Sequence, residues 1–147
     1  MLKRVDWWEK LLEYLEYCKG KQLNWGTFDC CTFICGAITS MTDIDPYKEF
    51  RLPYSTQEEA MAAIKKYTGI GGYNKGLTAV VRTIGTDTGA TVIEGVPGRG
   101  DVCVIKVDDE YVCSICVGDK LALIHKNDGL ILSPVNKYNI TLVLRYI

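Results

Sequence analysis

The sequence predicts an α+β domain in which N-terminal helices pack on a C-terminal antiparallel sheet of about five strands. Two observations carry this. Apolar residues recur at helical spacing through the first half, and from Asp101 onward the period changes to two. The helical segments also precede the strand segments instead of alternating with them, which separates α+β from a parallel α/β sheet. The 147 residues contain neither an internal repeat nor a linker, so a single domain is expected over 1–147.

The first helix is expected near residues 4–18, where Val5, Trp8, Leu11, Leu12 and Leu15 form an apolar face against Glu9, Lys10, Glu13 and Glu16, and Lys19-Gly20 ends it. QLNWGTFD then delivers the chain to a second, buried helix over 30–40, with Asp29 as its N-cap. Met41 to Arg51 reads as a loop turning at Asp45-Pro46. Ser55-Thr56-Gln57-Glu58-Glu59 is an N-terminal capping signature for a helix over 55–67, ending before Gly69. Gly71-Gly72 breaks the chain again, and Leu77 to Ile84 suits a short fourth helix. TDTGATVIEGVPGRGD is turn-rich. VCVIKV, EYVCSICVG, KLALIH, GLILSP and ITLVLRYI are the strands, and the short turns between them favour an antiparallel meander.

Composition excludes several classes. Lys+Arg 17 against Asp+Glu 18 leaves a net charge of −1, with no electrostatic footprint for nucleic acid. No apolar run approaches the ~20 residues of a membrane span. The basic start lacks the apolar stretch of a signal peptide, because Glu9, Glu13 and Glu16 interrupt it. Seven cysteines, an odd number with Cys30 and Cys31 adjacent, point to reduced thiols and a cytoplasmic place of synthesis or assembly. Most of them read as small buried hydrophobes.

Cys30 is the exception. A thiol attacks as its thiolate, and a helix N-terminus is a standard place to favour that form. Catalysis of the papain kind would add a histidine base and a third group to orient it. His125 is the single histidine of the chain.

WGTFDCCTF (25–33), GRGDVCVI (98–105) and VCSICVGDKLALIH (112–125) follow one another in an order that resembles the NlpC-type, papain-like cysteine peptidases. Those enzymes carry the nucleophile in a D-C-S-G-F-like motif at a helix start. A G-D-L-V-like strand follows, and then H-V-G-I-Y-x-G, whose histidine is the base. More closely, the pattern is similar to a family encoded in phage and prophage tail modules, with W-G-x-x-D-C-x-x-F, R-G-D-V-V-x-V, G-V-x-x-G and a later D-G-L, matched here by Asp128-Gly129-Leu130. The resemblance runs from Trp8 to the final strand. It places Cys30 at the nucleophile position, Gly100 and Asp101 at the strand opening and Gly118 at the strand-end glycine. Counting back from Gly118, the base position falls on Val112, or on Cys113 with a one-residue slip, and His125 falls near the orienting position. No imidazole stands at the base position, and a general base contributes about 10²–10⁴-fold. Rescue would require His125 to swing in from the neighbouring strand.

Other candidates are weaker. Cys113-x-x-Cys116 has zinc or redox spacing, but within a strand its two side chains fall on opposite faces. A zinc site would have to recruit Cys30, Cys31 or Cys103, so no metal or other cofactor is expected. Arg99-Gly100-Asp101 reads as the turn into a strand, and Gly95-x-x-Gly98-x-Gly100 lacks the setting of a dinucleotide loop. Trp7 and Trp8 point about 100° apart on a helix, so one face cannot bury both. With Trp25 they are candidate partner-binding aromatics, together with Tyr14 or Tyr17, although a small domain can also fold its own loop over them.

The resemblance implies a component of the phage tail tip or of tail assembly, made in the bacterial host cytoplasm and located in the virion tail. It would contact other tail proteins and act mainly as a structural or assembly component, on a scaffold whose peptidase activity is degenerate or absent and which, if active, would be a cysteine hydrolase using Cys30. Two alternatives stand beside it. One is a working amidase or endopeptidase acting on peptidoglycan. The other is a cytosolic thiol-dependent acyltransferase or deamidase using Cys30 and His125.

Overall fold

The computed structural model describes residues 2–46, 54–68 and 73–147. Among them, α1 (Trp7–Cys18), α2 (Cys30–Thr42), α3 (Gln57–Thr68) and α4 (Tyr73–Asp87) precede β2 (Val102–Val107), β3 (Glu110–Cys116), β4 (Lys120–His125), β5 (Gly129–Pro134) and β6 (Asn139–Arg145). A two-residue strand, β1 (Thr91–Val92), lies in the turn-rich connection and pairs with β6. Every pairing is antiparallel, in the order β1-β6-β2-β3-β4-β5. The α+β class and the helix-then-sheet order are therefore as the periodicity predicts. The expected breaks at Gly69 and Gly71-Gly72, and the loop beyond Pro46, lie outside the described residues.

The α1 face differs from the expectation. Its buried residues are Leu11, Leu15 and Cys18, while Leu12 is 45% exposed and Val5 98% exposed. The helix starts only at Trp7 because the preceding residues are tied elsewhere. The amides of Leu2 and Lys3 donate to the Ile147 carbonyl, and the Arg4 amide donates to Met41. Val5 thus lies outside the helix, and the apolar stripe rotates toward Leu11.

The second helix is the central one. Phe33, Ile34, Ala37, Ile38 and Met41 are buried, between α1 and the sheet. Helix α3 opens as its sequence signals: Thr56 Oγ1 accepts from the Glu59 amide, and Glu59 reaches back to the Ser55 amide. Helix α4 extends beyond 77–84 in both directions and packs on β3 and β6, where Gly85 lies close against the Leu144 side chain.

The strands β2 to β5 form the expected meander, but β6 leaves it. A 3₁₀ turn at Val135–Lys137 carries the chain across, and β6 pairs with β2 instead of β5. This makes β2 an interior strand. Val102, Cys103, Val104 and Ile105 are all buried, so both faces of β2 are covered, and with β3 on one edge and β6 on the other it lies inside the sheet. One face of the sheet, with Val102, Val104, Cys113, Ile115, Ala122, Ile124, Leu142 and Leu144, meets the helices. The other gathers Cys103, Ile105, Cys116, Leu121, Leu123 and Val143 with Val112, Ile131 and Tyr138 into a second core. Cys113 and Cys116 thus lie on opposite faces, as strand alternation requires. At the β2 entrance Gly100 takes φ +85°, and the fully buried Asp101 holds Arg145 through a two-point pair at 2.9 and 2.8 Å. Arg99-Gly100-Asp101 is the turn into a strand.

Candidate functional site

The site is built around the start of α2. Asp29 is 1% exposed, and its Oδ1 accepts the amides of Cys31 at 3.0 Å and Thr32 at 2.9 Å. Thr32 Oγ1 accepts the Asp29 amide at 2.8 Å, completing a capping box. Asp29 Oδ2 accepts the Gly26 amide at 2.8 Å and the Tyr54 hydroxyl at 2.7 Å. Gly26 is required here. Its φ is +88°, and a Cβ would come within 2.0 Å of the Tyr54 carbonyl oxygen. The W-G-x-x-D-C spacing is therefore mechanical: glycine lets the loop dock on Tyr54, aspartate caps the helix, and Cys30 becomes its first residue.

Cys30 is 6% exposed and faces β3. The residue opposite it there is Cys113, not Val112. The sulfurs of Cys30, Cys31 and Cys113 all lie within 4.8 Å of one another, while Val112 packs into the core on the far face. Of the two candidates for the base position, the one-residue slip is the one that faces Cys30. All seven cysteines are thiols. The Cys31 thiol is pushed well above its ordinary pKa, first by hydrogen bonds to Cys113 and Cys30 and then by enclosure of its sulfur, although the residue as a whole is half-buried. Cys113 is likewise pushed well up, first by its hydrogen bond to Cys30 and then by burial. The three thiols thus form one mutually hydrogen-bonded group in which Cys31 and Cys113 favour the protonated form. The α2 N-terminus is meanwhile already occupied by the Asp29 carboxylate, which takes two of the amides that would otherwise favour a thiolate.

His125 does not join this group. Strand alternation puts it on the side of Leu121 and Leu123, opposite Ile124 and the helices. Its Nδ1 accepts the amides of Asn127 at 3.1 Å and Asp128 at 3.3 Å, so the ring proton sits on Nε2 and the imidazole closes the β4–β5 turn. The Asp128 carboxylate, also 3.3 Å from Nδ1, would be a partner only for the protonated ring. The two residues nevertheless share a cleft. The β3–β4 ladder runs only from Cys116↔Leu121 to Ser114↔Leu123. Beyond it lies a cleft of about 430 Å³, lined by Trp25, Cys30, Tyr111, Val112, Ile124 and His125 among others.

The other aromatic candidates are engaged within the domain. Trp7 packs against Gly100 and beneath the Lys3 ammonium, 3.9 Å from the ring centroid. Trp8 meets Trp7 edge-on at 5.6 Å and carries the Arg99 guanidinium 4.9 Å above its ring. Both are half-buried, Tyr14 donates to the Phe33 carbonyl, and the exposed aromatic of α1 is Tyr17, 66% exposed. Sequence reasoning did not place Cys31 or Tyr54 in the site. Cys31 was visible beside Cys30, whereas nothing in its own segment marks Tyr54.

A family model described as a domain of unknown function, DUF6950, matches residues 3–142. No curated protein matches the chain. No described helix is long and apolar enough to cross a membrane.

Proposed function

The chain belongs to the DUF6950 family, and from that premise we propose that it is a non-hydrolytic relative of the NlpC-like, papain-like cysteine peptidases, serving as a structural or assembly component of a phage tail. The observation that carries the loss of hydrolysis is Cys113. It occupies the place beside Cys30 where a proton acceptor would have to sit, and as a buried thiol pushed well above its ordinary pKa it keeps its own proton at neutral pH. The α2 start is the part of the peptidase plan that remains, with its cap, its turn glycine and its cysteine. The tail assignment rests on the order of W-G-x-x-D-C, R-G-D and D-G-L motifs along the chain. Its partners would be other tail proteins, with the virion tail as its place.

One observation favours a second reading, a cell-wall peptidase. Cys30 and His125 line the same cleft, and Trp25 beside them offers a surface for a sugar or peptide. Digestion of muropeptides followed by mass spectrometry separates the two. The structural reading expects no product above background. Turnover abolished by Cys30→Ala would establish the peptidase. The tail role is tested by complementation with Cys30→Ser: normal particle yield and infectivity are expected, and particles that assemble but fail to infect would overturn the reading.

A further inference from the structure

The cysteines that sequence spacing scatters along the chain converge in space. Cys30 and Cys31 come from the first turn of α2, Cys113 from β3, and their three sulfurs lie within 4.8 Å of one another. We propose that Cys30, Cys31 and Cys113 form a binding site for a single thiophilic divalent cation of the zinc type.

The donor set fits such an ion. Zinc thiolate bonds of about 2.3 Å in tetrahedral geometry put sulfurs roughly 3.8 Å apart, so the three need to contract by about 1 Å at most. Side-chain rotation supplies that movement, because the Cys30 and Cys31 Cβ atoms sit on a helix start held by four hydrogen bonds to Asp29. Soft sulfur donors without a carboxylate or imidazole among them select thiophilic ions over magnesium or calcium. Burial of three thiols in one place is otherwise unfavourable for ionisation, and a divalent cation reverses that. Coordination replaces three S–H bonds by three metal–sulfur bonds, with three protons passing to solvent and a net charge of −1 left at the centre. Four-coordinate zinc needs one more donor. Cys30 lines the 430 Å³ cleft, so water or a donor from a bound partner reaches the ion from that side. The metal would also take Cys30 away from nucleophilic chemistry.

The inference is independent of the tail assignment and is tested on the full reduced chain without oxygen. Titration with Co²⁺ is expected to give a thiolate-to-cobalt charge-transfer band saturating at one equivalent, with Zn²⁺ displacing it and protons released in weak buffer. Cys113→Ser and Cys31→Ser should each weaken binding by more than about 100-fold, beyond the loss given by a group that only orients a ligand. Cys103→Ser, in the opposite core, should bind as the parent does. A variant-free measurement runs beside these: bound Zn²⁺ should protect Cys30, Cys31 and Cys113 from alkylation, read peptide by peptide by mass spectrometry, while Cys35 keeps its rate. Absence of the charge-transfer band, or equal protection of all seven cysteines, would overturn the proposal.

Discussion

The phenol of Tyr54 donates a 2.7 Å hydrogen bond to Asp29 Oδ2, joining two segments 25 residues apart at the start of α2. The same carboxylate accepts three backbone amides, from Gly26, Cys31 and Thr32. Burial is the first reason that the Tyr54 phenol is pushed above its ordinary pKa, with the negative charge of neighbouring groups next, so it remains a donor. The Cys30 site is thus fixed by a cap that also anchors the entry to α3.

Removing either partner should be measurable, and unequally. Tyr54→Phe deletes one hydrogen bond to a charged group, a loss of about 1.5–3 kcal/mol. Asp29→Ala deletes the cap and strands buried donors as well, and should cost more. Urea unfolding of both variants checks this. Equal costs would mean that the Tyr54 bond is the main role of Asp29.

How much of this was legible follows from sequence distance. The Asp29-Cys30 start of α2, its glycine turn and the Thr56–Glu59 cap are local hydrogen-bonding patterns, so their residue types announce them within a few positions. The strands of the second half were legible for the same reason, since alternation is a local property. The β6 crossover was not. Its turn at Pro134 to Tyr138 reads like the others, and which edge of the sheet a strand joins is a long-range property that no local pattern announces. The thiol cluster was half legible. Cys30 and Cys31 announce themselves, but whether Val112 or Cys113 faces them depends on strand phase, and a one-residue slip exchanges the faces. The α1 face failed because the ties of Leu2, Lys3 and Arg4 to distant carbonyls set where the helix begins.

The buried thiols predict alkaline instability. Cys31 and Cys113 are pushed above the ordinary thiol value of 9.0, and Cys103 is pushed up too, chiefly by burial. Above about pH 9 the unfolded chain therefore releases protons that the folded chain keeps. Stability is full below that pH and falls as pH rises toward the folded values. Melting temperatures between pH 7 and 10.5 should drop at the alkaline end, and Cys113→Val should flatten the drop. An unchanged slope in that variant would place the effect elsewhere.

The α1 aromatics separate folding from docking. Trp7 is wedged against Gly100, so Trp7→Ala should destabilise by about 1–3 kcal/mol. Tyr17 is 66% exposed, and Tyr17→Ala should shift stability by no more than about 0.5 kcal/mol. If α1 faces a tail partner, Tyr17→Ala lowers particle yield in complementation while its melting temperature stays put. Normal yield from that variant would remove this helix from the contact.

His125 decides whether the shared cleft is a catalytic one. In the structure its Nδ1 is taken by the amides of Asn127 and Asp128, and its strand phase points it away from Cys113. Its role is then to close the β4–β5 turn. Each of the two neutral hydrogen bonds lost is worth about 0.5–1.5 kcal/mol, so their loss together corresponds to about 1–3 kcal/mol at most. His125→Ala should lower the unfolding free energy measured in urea by that amount and leave the pH dependence of Cys30 alkylation untouched. A histidine that acts as base would behave oppositely. Its removal would shift the alkylation profile of Cys30 to higher pH and slow the reaction at neutrality, with little effect on stability. Mass-spectrometric alkylation rates for the Cys30 peptide, measured from pH 6 to 9 in the parent and in His125→Ala, distinguish the two. Superimposable profiles are expected. A displaced profile would place His125 in the reaction and favour the peptidase reading.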